Sequence, residues 1–333
     1  MTLFGLLLMC ALVLAVGAGR LGVSPLNVIS IVLNELGIPG FEGSWTEKER
    51  TAVAMIRAPR ALMAALAGAA LAVSGAVLQA LFRNPLVSPD VIGVSSAASF
   101  GGVLVIMIGG GGVALMSGSF AAGLVAALLV MLLGRIRTGS PVLTIVLGGI
   151  VVSAFFDALV SLVTYLADPY TTLPSITFWL MGSFASASWE KLALLTVPVA
   201  LGLLFVFALR WRVNILSLGD EEASALGMRP GLMRGALIVA VSLLTASSVA
   251  VAGVIGWVGL VIPHMVRLLV GPDHRVLLPG AALLGAAYVL LMDTVARTVV
   301  QVEVPIGILT AVIGAPVFVA VLIKRTRGGR TLA

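Results

Sequence analysis

Apolar runs close to the length of a bilayer crossing recur from one end of this 333-residue chain to the other, and no other feature limits its fold so tightly. A helix needs about 20 predominantly apolar residues to cross the hydrocarbon core. Such runs lie near 3–19, 58–82, 91–109, 113–133, 141–166, 192–209, 232–254, 255–270, 276–297 and 305–323. With 60% hydrophobic and only 10% charged residues, the chain cannot clothe a globule in polar groups, so most of it is solvated by lipid. The runs do not alternate polar with apolar, which argues against a membrane β-barrel. The expected fold is all-α, a polytopic membrane protein of about ten spans. Its 38 glycines favour a compact bundle, because small side chains let backbones approach where lipid gives no hydrophobic drive. Residues 1–333 read as a single transmembrane domain.

The net charge of +6 invites a nucleic-acid reading, but its distribution points to membrane lipid instead. If both termini share a side, that side receives Arg83, Arg135, Arg137, Arg210, Arg212, Arg229, Arg234, Arg267, Arg275 and the basic C-terminal run from Lys324. The richer side is cytoplasmic by the positive-inside rule. The segment 214–230 then faces the cytoplasm and 20–57 lies outside. Cys10 is the sole cysteine, so an intrachain disulfide or a cysteine metal cluster is excluded, and the first span is expected to stay uncleaved.

In the external segment, Ser24 and Pro25 make a helix start, and Leu26, Ile29, Leu33 and Leu36 line one face. An interfacial helix is expected there, as a docking platform or as a seal on the bundle. Phe41 to Arg50 reads as loop. An internal echo, Ala72–Val77 against Ala250–Ile255 with Pro85 and Pro263 following at equal distance, suggests an inverted repeat. Two stretches break the apolar pattern. Arg83 to Asp90 puts Pro85 and Pro89 between closely spaced spans, as a pathway mouth or a tight turn, and Gly256 to Arg267 should be kinked or broken.

The polar segment Leu218 to Gly227 is stranded between apolar runs and suits a socket on another protein. Asp220, Glu221 and Glu222 stand at a helix start, where they favour the macrodipole and can meet basic groups of a partner. At the outer side stand Arg57 and Arg60, flanking Pro59, and Arg297. Their planar forks suit carboxylates of a docked protein, while snorkelling to headgroups or pairing of Arg297 with Asp293 four residues earlier are the plainer alternatives.

Taken together, several motifs give the chain a close resemblance to the permease subunit of type II ABC importers, the family that carries ferric siderophores, haem and cobalamin. They are Arg57-Ala58-Pro59-Arg60, Gly75 to Gln79 with Asn84-Pro85-Leu86, Gly219 to Gly227, Gly259 to His264, Asp273-His274-Arg275 with Leu278-Pro279-Gly280, and Pro305-Ile306-Gly307 with Gly314 to Phe318. The resemblance implies a multi-pass protein of the bacterial inner membrane that works as a dimer, most simply a homodimer. It also implies two cytoplasmic ATPase subunits, which hold the ATP and Mg, and a periplasmic or lipid-anchored substrate-binding protein. By that resemblance Gly219, Asp220, Glu221, Glu222, Ala223, Leu226 and Gly227 couple to the ATPase, and Arg57, Arg60 and Arg297 receive the binding protein. Asn84 and Leu86, with Thr138 and Ser140, close the cytoplasmic gate, although Asn84 is equally a turn former.

The chain has no glycine-rich phosphate loop ending in Gly-Lys-Ser/Thr, so hydrolysis belongs to a partner and no residue is assigned a catalytic role. No cofactor or metal is expected on the chain itself. His264 reads as an interhelical hydrogen-bonding group and His274 as a contact to the ATPase. The stretch from Asp168-Pro169-Tyr170 through Leu173 to Ser183 resembles the siderophore branch, which makes a ferric siderophore the expected cargo, with haem, cobalamin and molybdate-type oxyanions open. An ion-coupled secondary transporter would need intramembrane carboxylates, and only Asp157 and Asp293, both placed near helix ends, qualify. An intramembrane enzyme ranks last, since no spacing joins a nucleophile to a base.

Overall fold

The computed structural model describes residues 1–328 except 20, 42, 44 and 135–140, and in it every expected apolar run is helical. In chain order the helices are α1 (Thr2–Gly17), α2 (Pro25–Glu35), α3 (Glu47–Arg50), α4 (Ala58–Leu81), α5 (Val94–Met107), α6 (Gly112–Leu133), α7 (Pro141–Leu166) and α8 (Thr172–Leu180). There follow α9 (Trp189–Ala208), α10 (Arg210–Leu218), α11 (Asp220–Ala225), α12 (Pro230–Ala252), α13 (Val258–Val270), α14 (His274–Thr298) and α15 (Ile306–Gly328). Among the described residues, 6 helical stretches are long and apolar enough to cross a membrane. Shorter apolar helices, α1, α5, α13 and α15 to Ala320, supply the remaining expected crossings.

One sequence expectation for the external segment changes. Within Phe41 to Arg50, read as loop, residues 47–50 are helix: Thr46 and Glu49 form a capping box, and α3 runs through a π-helical turn, Thr51–Arg57, straight into α4 as one rod of 35 residues. Pro59 lacks an N–H and crowds the turn before it, and the wide π turn accommodates that break without ending the helix. Helix α2 starts as expected, with Ser24 Oγ accepting from the Asn27 amide at 3.2 Å. It buries Val28 and Ile31 on its inner face and leaves Leu26 of the expected stripe 77% exposed. That stripe faces outward, where lipid or a partner can cover it.

Helix α4 is the axis of the bundle. Its apolar window is 83% buried against 28% for α9, which is what a helix rich in Ala and Gly achieves when neighbours close on it from all sides. A Cβ on Gly75 would lie 1.8 Å from the Gly259 carbonyl of α13, and one on Gly68 would lie 2.3 Å from the Gly285 carbonyl of α14. One turn beyond Gly75, Gln79 Nε2 donates to the Gly259 and Leu260 carbonyls at 3.3 and 3.4 Å, satisfying backbone beside the kink-forming Pro263. Gly75→Val is therefore expected to destabilise the folded chain by about 3 kcal/mol or more, because the neighbour it meets is backbone and cannot swing away. Thermal unfolding of the purified variant measures this; a parental melting point would refute the close crossing.

Helix α4 ends in a Schellman motif, with the Asn84 amide on the Gln79 carbonyl at 3.1 Å and the Arg83 amide on Ala80 at 3.2 Å. Its left-handed position, φ 48, is held by Arg83, where glycine would be cheaper by about 1 kcal/mol. Between α12 and α13 the helix is broken as expected, but the break falls at Gly253 to Trp257, both with positive φ, and Pro263 sits inside α13. Backbone at this break and at the end of α8 is satisfied from other helix ends. The Ser183 amide donates to the Ala252 carbonyl at 2.8 Å, and the Ile306 and Gly307 amides donate to the Gly182 and Met181 carbonyls at 2.9 and 3.1 Å. The two copies of the internal echo do not share a setting: Gly75 is mid-helix, whereas Gly253 ends α12.

Candidate functional site

Polar residues gather at the two ends of the bundle. At one end the Arg60 guanidinium, held by the start of α4, forks between two carboxylates. Its Nε and Nη2 lie 3.0 and 2.8 Å from Asp293 of α14, and Nη2 lies 2.6 Å from Glu303 in the α14–α15 loop. Asp293 is 1% exposed and also faces Arg297 Nε at 3.6 Å, so the i,i+4 pairing foreseen from sequence is present. Burial alone would push the Glu303 carboxyl up, but Arg60, with Ser183 Oγ donating at 2.9 Å, holds it below the ordinary carboxylate value.

Arg57 and Arg297 complete this end by capping α1. Arg57 is 5% exposed and donates to the Val16, Gly17 and Leu21 carbonyls at 3.2, 2.7 and 2.6 Å; Arg297 donates to the Ala18 and Ala15 carbonyls. These are the orphan carbonyls of a helix C-terminus, where cations are favoured. The three arginines expected as docking groups are thus brought together, Arg57 and Arg60 buried and Arg297 half-buried, all internally bonded and not free guanidiniums. Sequence reasoning missed Glu303, which follows the last apolar residues of α14 and carries no motif of its own.

The opposite end holds the segment from α10 through α11. Gly219, at φ 146, turns the chain between the two helices, and Gly227, at φ 78, ends the second. Asp220, Glu221 and Glu222 occupy the first turn of α11 as expected. Asp220 is spent internally, its Oδ1 2.5 Å from Arg234 of α12, and Ala223 is fully buried, so these two pin α11 to the bundle. What remains outward is Glu221, Glu222 and Leu226, the leucine 63% exposed, beside exposed Leu218. The outward face of α11 thus sets an acidic edge beside two exposed leucines.

Beside it, Asn84 Oδ1 accepts from the Leu86 amide at 2.9 Å, an Asx turn, and Leu86 is exposed. Thr138 and Ser140, expected to share their gate, lie outside the described residues. His264 is buried edge-on against Phe318 of α15, ring centroids 6.0 Å apart. His274 is also buried, bonded through Nδ1 to Asn214 Oδ1 at 2.7 Å, so it is not the surface group expected from sequence. Among the described residues no group of three His, Cys, Asp or Glu is placed to hold a metal.

Between the ends, α7 turns an exposed polar stripe outward. Ser153, Asp157, Ser161 and Thr164 recur at helical spacing, and Asp157 and Ser161 are exposed. Asp157 lies well inside Pro141–Leu166, not at a helix end.

A bundle of apolar helices with a buried ionic cluster at one end and an acidic, leucine-bearing turn at the other has the architecture of a polytopic membrane protein. The chain belongs to the FecCD transport family, matching it over residues 6–324. It is 43% identical to the molybdate import system permease protein of Haemophilus influenzae over 329 residues, 98% of this chain and 96% of that one. It is 41% identical to the probable iron chelatin transport system permease protein of Helicobacter pylori over 273 residues, 82% of each. Its fold matches a solved ABC transporter described as of the metal-chelate type, in an inward-facing conformation, with TM-score 0.87 and 41% identity over 97% of this chain and 98% of that one. It is a membrane permease, and in this family ATP hydrolysis belongs to a separate subunit.

Proposed function

We propose that this chain imports a metal chelate, most simply a ferric siderophore, through a pathway between two copies of itself, driven by ATPase subunits seated on α11. Asp157 carries the reading. A carboxylate exposed in mid-span is costly against lipid, so the α7 stripe is better placed facing water in a lumen shared with the second copy. Two Asp157 side chains, one from each copy, would repel a small dianion such as molybdate and pass a neutral or cationic chelate. The names of related permeases for iron chelates support this cargo class, and the identity to a molybdate permease supports its rival. In this reading the loop end is cytoplasmic and the arginine end outside, where the binding protein docks over α2 and the ionic cluster.

The test reconstitutes the permease with its ATPase and binding protein in nanodiscs and compares a ferric hydroxamate with molybdate as stimulants of hydrolysis. The chelate should stimulate and molybdate should not. Asp157→Lys should lower chelate-stimulated turnover roughly tenfold, about 1.4 kcal/mol on the barrier, with normal membrane insertion. Stimulation by molybdate alone would overturn the cargo, and an unaffected lysine variant would overturn the lumen.

A further inference from the structure

We propose that a cavity of about 450 Å³ at the loop end, where α4, α10, α13 and α14 meet, is a binding site for an anionic oxygen group. Its wall includes Gln79, Arg83, Asn84, Ser217, Arg267 and His274, and no carboxylate is among the residues that line it. Arg83 reaches it from the left-handed cap of α4, a position a glycine would fill without strain. Its guanidinium makes no ion pair or hydrogen bond among the described residues. Arg267 is fixed against the wall by donating to Gln79 Oε1 at 3.1 Å, while Gln79 is itself tied to α13 carbonyls.

His274 is 5% exposed, and its ring is oriented by a relay. Asn214 Nδ2 donates to Asp273 Oδ1 at 2.7 Å, which leaves Asn214 Oδ1 to accept from the His274 backbone amide at 2.8 Å and from Nδ1 at 2.7 Å. Nδ1 therefore carries a proton, and Nε2, buried, makes no hydrogen bond among the described residues. The nearby acids are Asp273, committed to Arg275 and Asn214, and Glu222, at the rim beside Gly219. An oxyanion or carboxylate held by Arg83 and Arg267 would complete the ring by drawing a second proton onto Nε2, so binding should take up a proton.

Two sources fit this chemistry: a free oxyanion, or a carboxylate of the subunit seated on α11, and the second rests on the coupling role proposed above. Calorimetric titration of the full chain in nanodiscs with sodium phosphate, at constant ionic strength in buffers of different ionisation heat, tests the first. Binding with proton uptake is expected. Arg83→Gly should weaken it at least tenfold while raising the melting point of the unliganded protein, a pairing that a structural role for Arg83 does not produce. If phosphate does not bind, the carboxylate source requires Arg83→Gly to weaken ATPase capture at least tenfold. Loss of capture in Arg83→Gly with normal capture in a Glu221→Lys/Glu222→Lys variant would uphold the pocket and refute the α11 role. No phosphate binding together with normal ATPase capture by Arg83→Gly overturns the site, whatever α11 does.

Discussion

Arg60→Leu should cost the folded permease about 3–5 kcal/mol, the penalty for stranding a buried carboxylate. Asp293 is 1% exposed and would keep only the 3.6 Å approach of Arg297, whose other donors are committed to α1. Glu303 would lose its partner in the same change. The double variant Arg60→Leu/Asp293→Leu should recover much of the loss, since an apolar pair of similar volume replaces a desolvated ionic one. Equilibrium unfolding in mixed micelles gives the cycle. Additive single losses would show that the pair is not coupled, and would return Arg60 to the role of a solvent-facing docking group. A weakened hold on the binding protein in an Arg60 variant has to be weighed against this loss of stability.

The second large effect is expected at the other end. Glu221→Lys with Glu222→Lys should leave the chain inserted and folded, because both side chains are exposed and neither has an ion pair among the described residues. Capture of the ATPase should fall by roughly a hundredfold and cargo-stimulated hydrolysis should cease, since like charges set against a complementary surface cost several kcal/mol. Asp220→Asn should act differently, loosening α11 from Arg234 and lowering stability. A reversed double variant that still co-purifies with its ATPase and hydrolyses at the parental rate would leave the loop a solvated connection.

The spans were legible because hydropathy reports a solvent, and a lipid-solvated helix must be apolar whatever it packs against. The rod from Glu47 was also written in the sequence, as Thr46 followed three residues later by Glu49, but the polar composition of that stretch outweighed it. The inward turn of Arg57 and Arg60 was not legible. It depends on where the α1 carbonyls and Glu303 arrive, and these lie 36 to 41 and 243 residues away in sequence. Likewise the inner face of α2 was not legible, because Val28 and Ile31 are buried with Val53 and Ala54, partners more than 20 residues away in sequence. Asp157 was legible as a position too, because the apolar run 141–166 coincides with α7 and already carries nine residues past it; placing it near a helix end ran against that span.

The junction at Gly182, Gly253 and Gly307 has a mechanical consequence. Main-chain bonds, with no flexible side chain between them, tie the ends of α8 and α12 and the start of α15, and the glycines bring these strands of backbone nearly into contact. Such a joint has almost no compliance: sliding one helix end by even an ångström breaks bonds to the others. The three ends must therefore travel as one rigid plate in any transport cycle. Bending is left to the far half of the bundle, where Arg83, Asn84 and Ser217 line an open cavity and no main-chain bond of this kind joins α4 to the α10–α11 turn among the described residues.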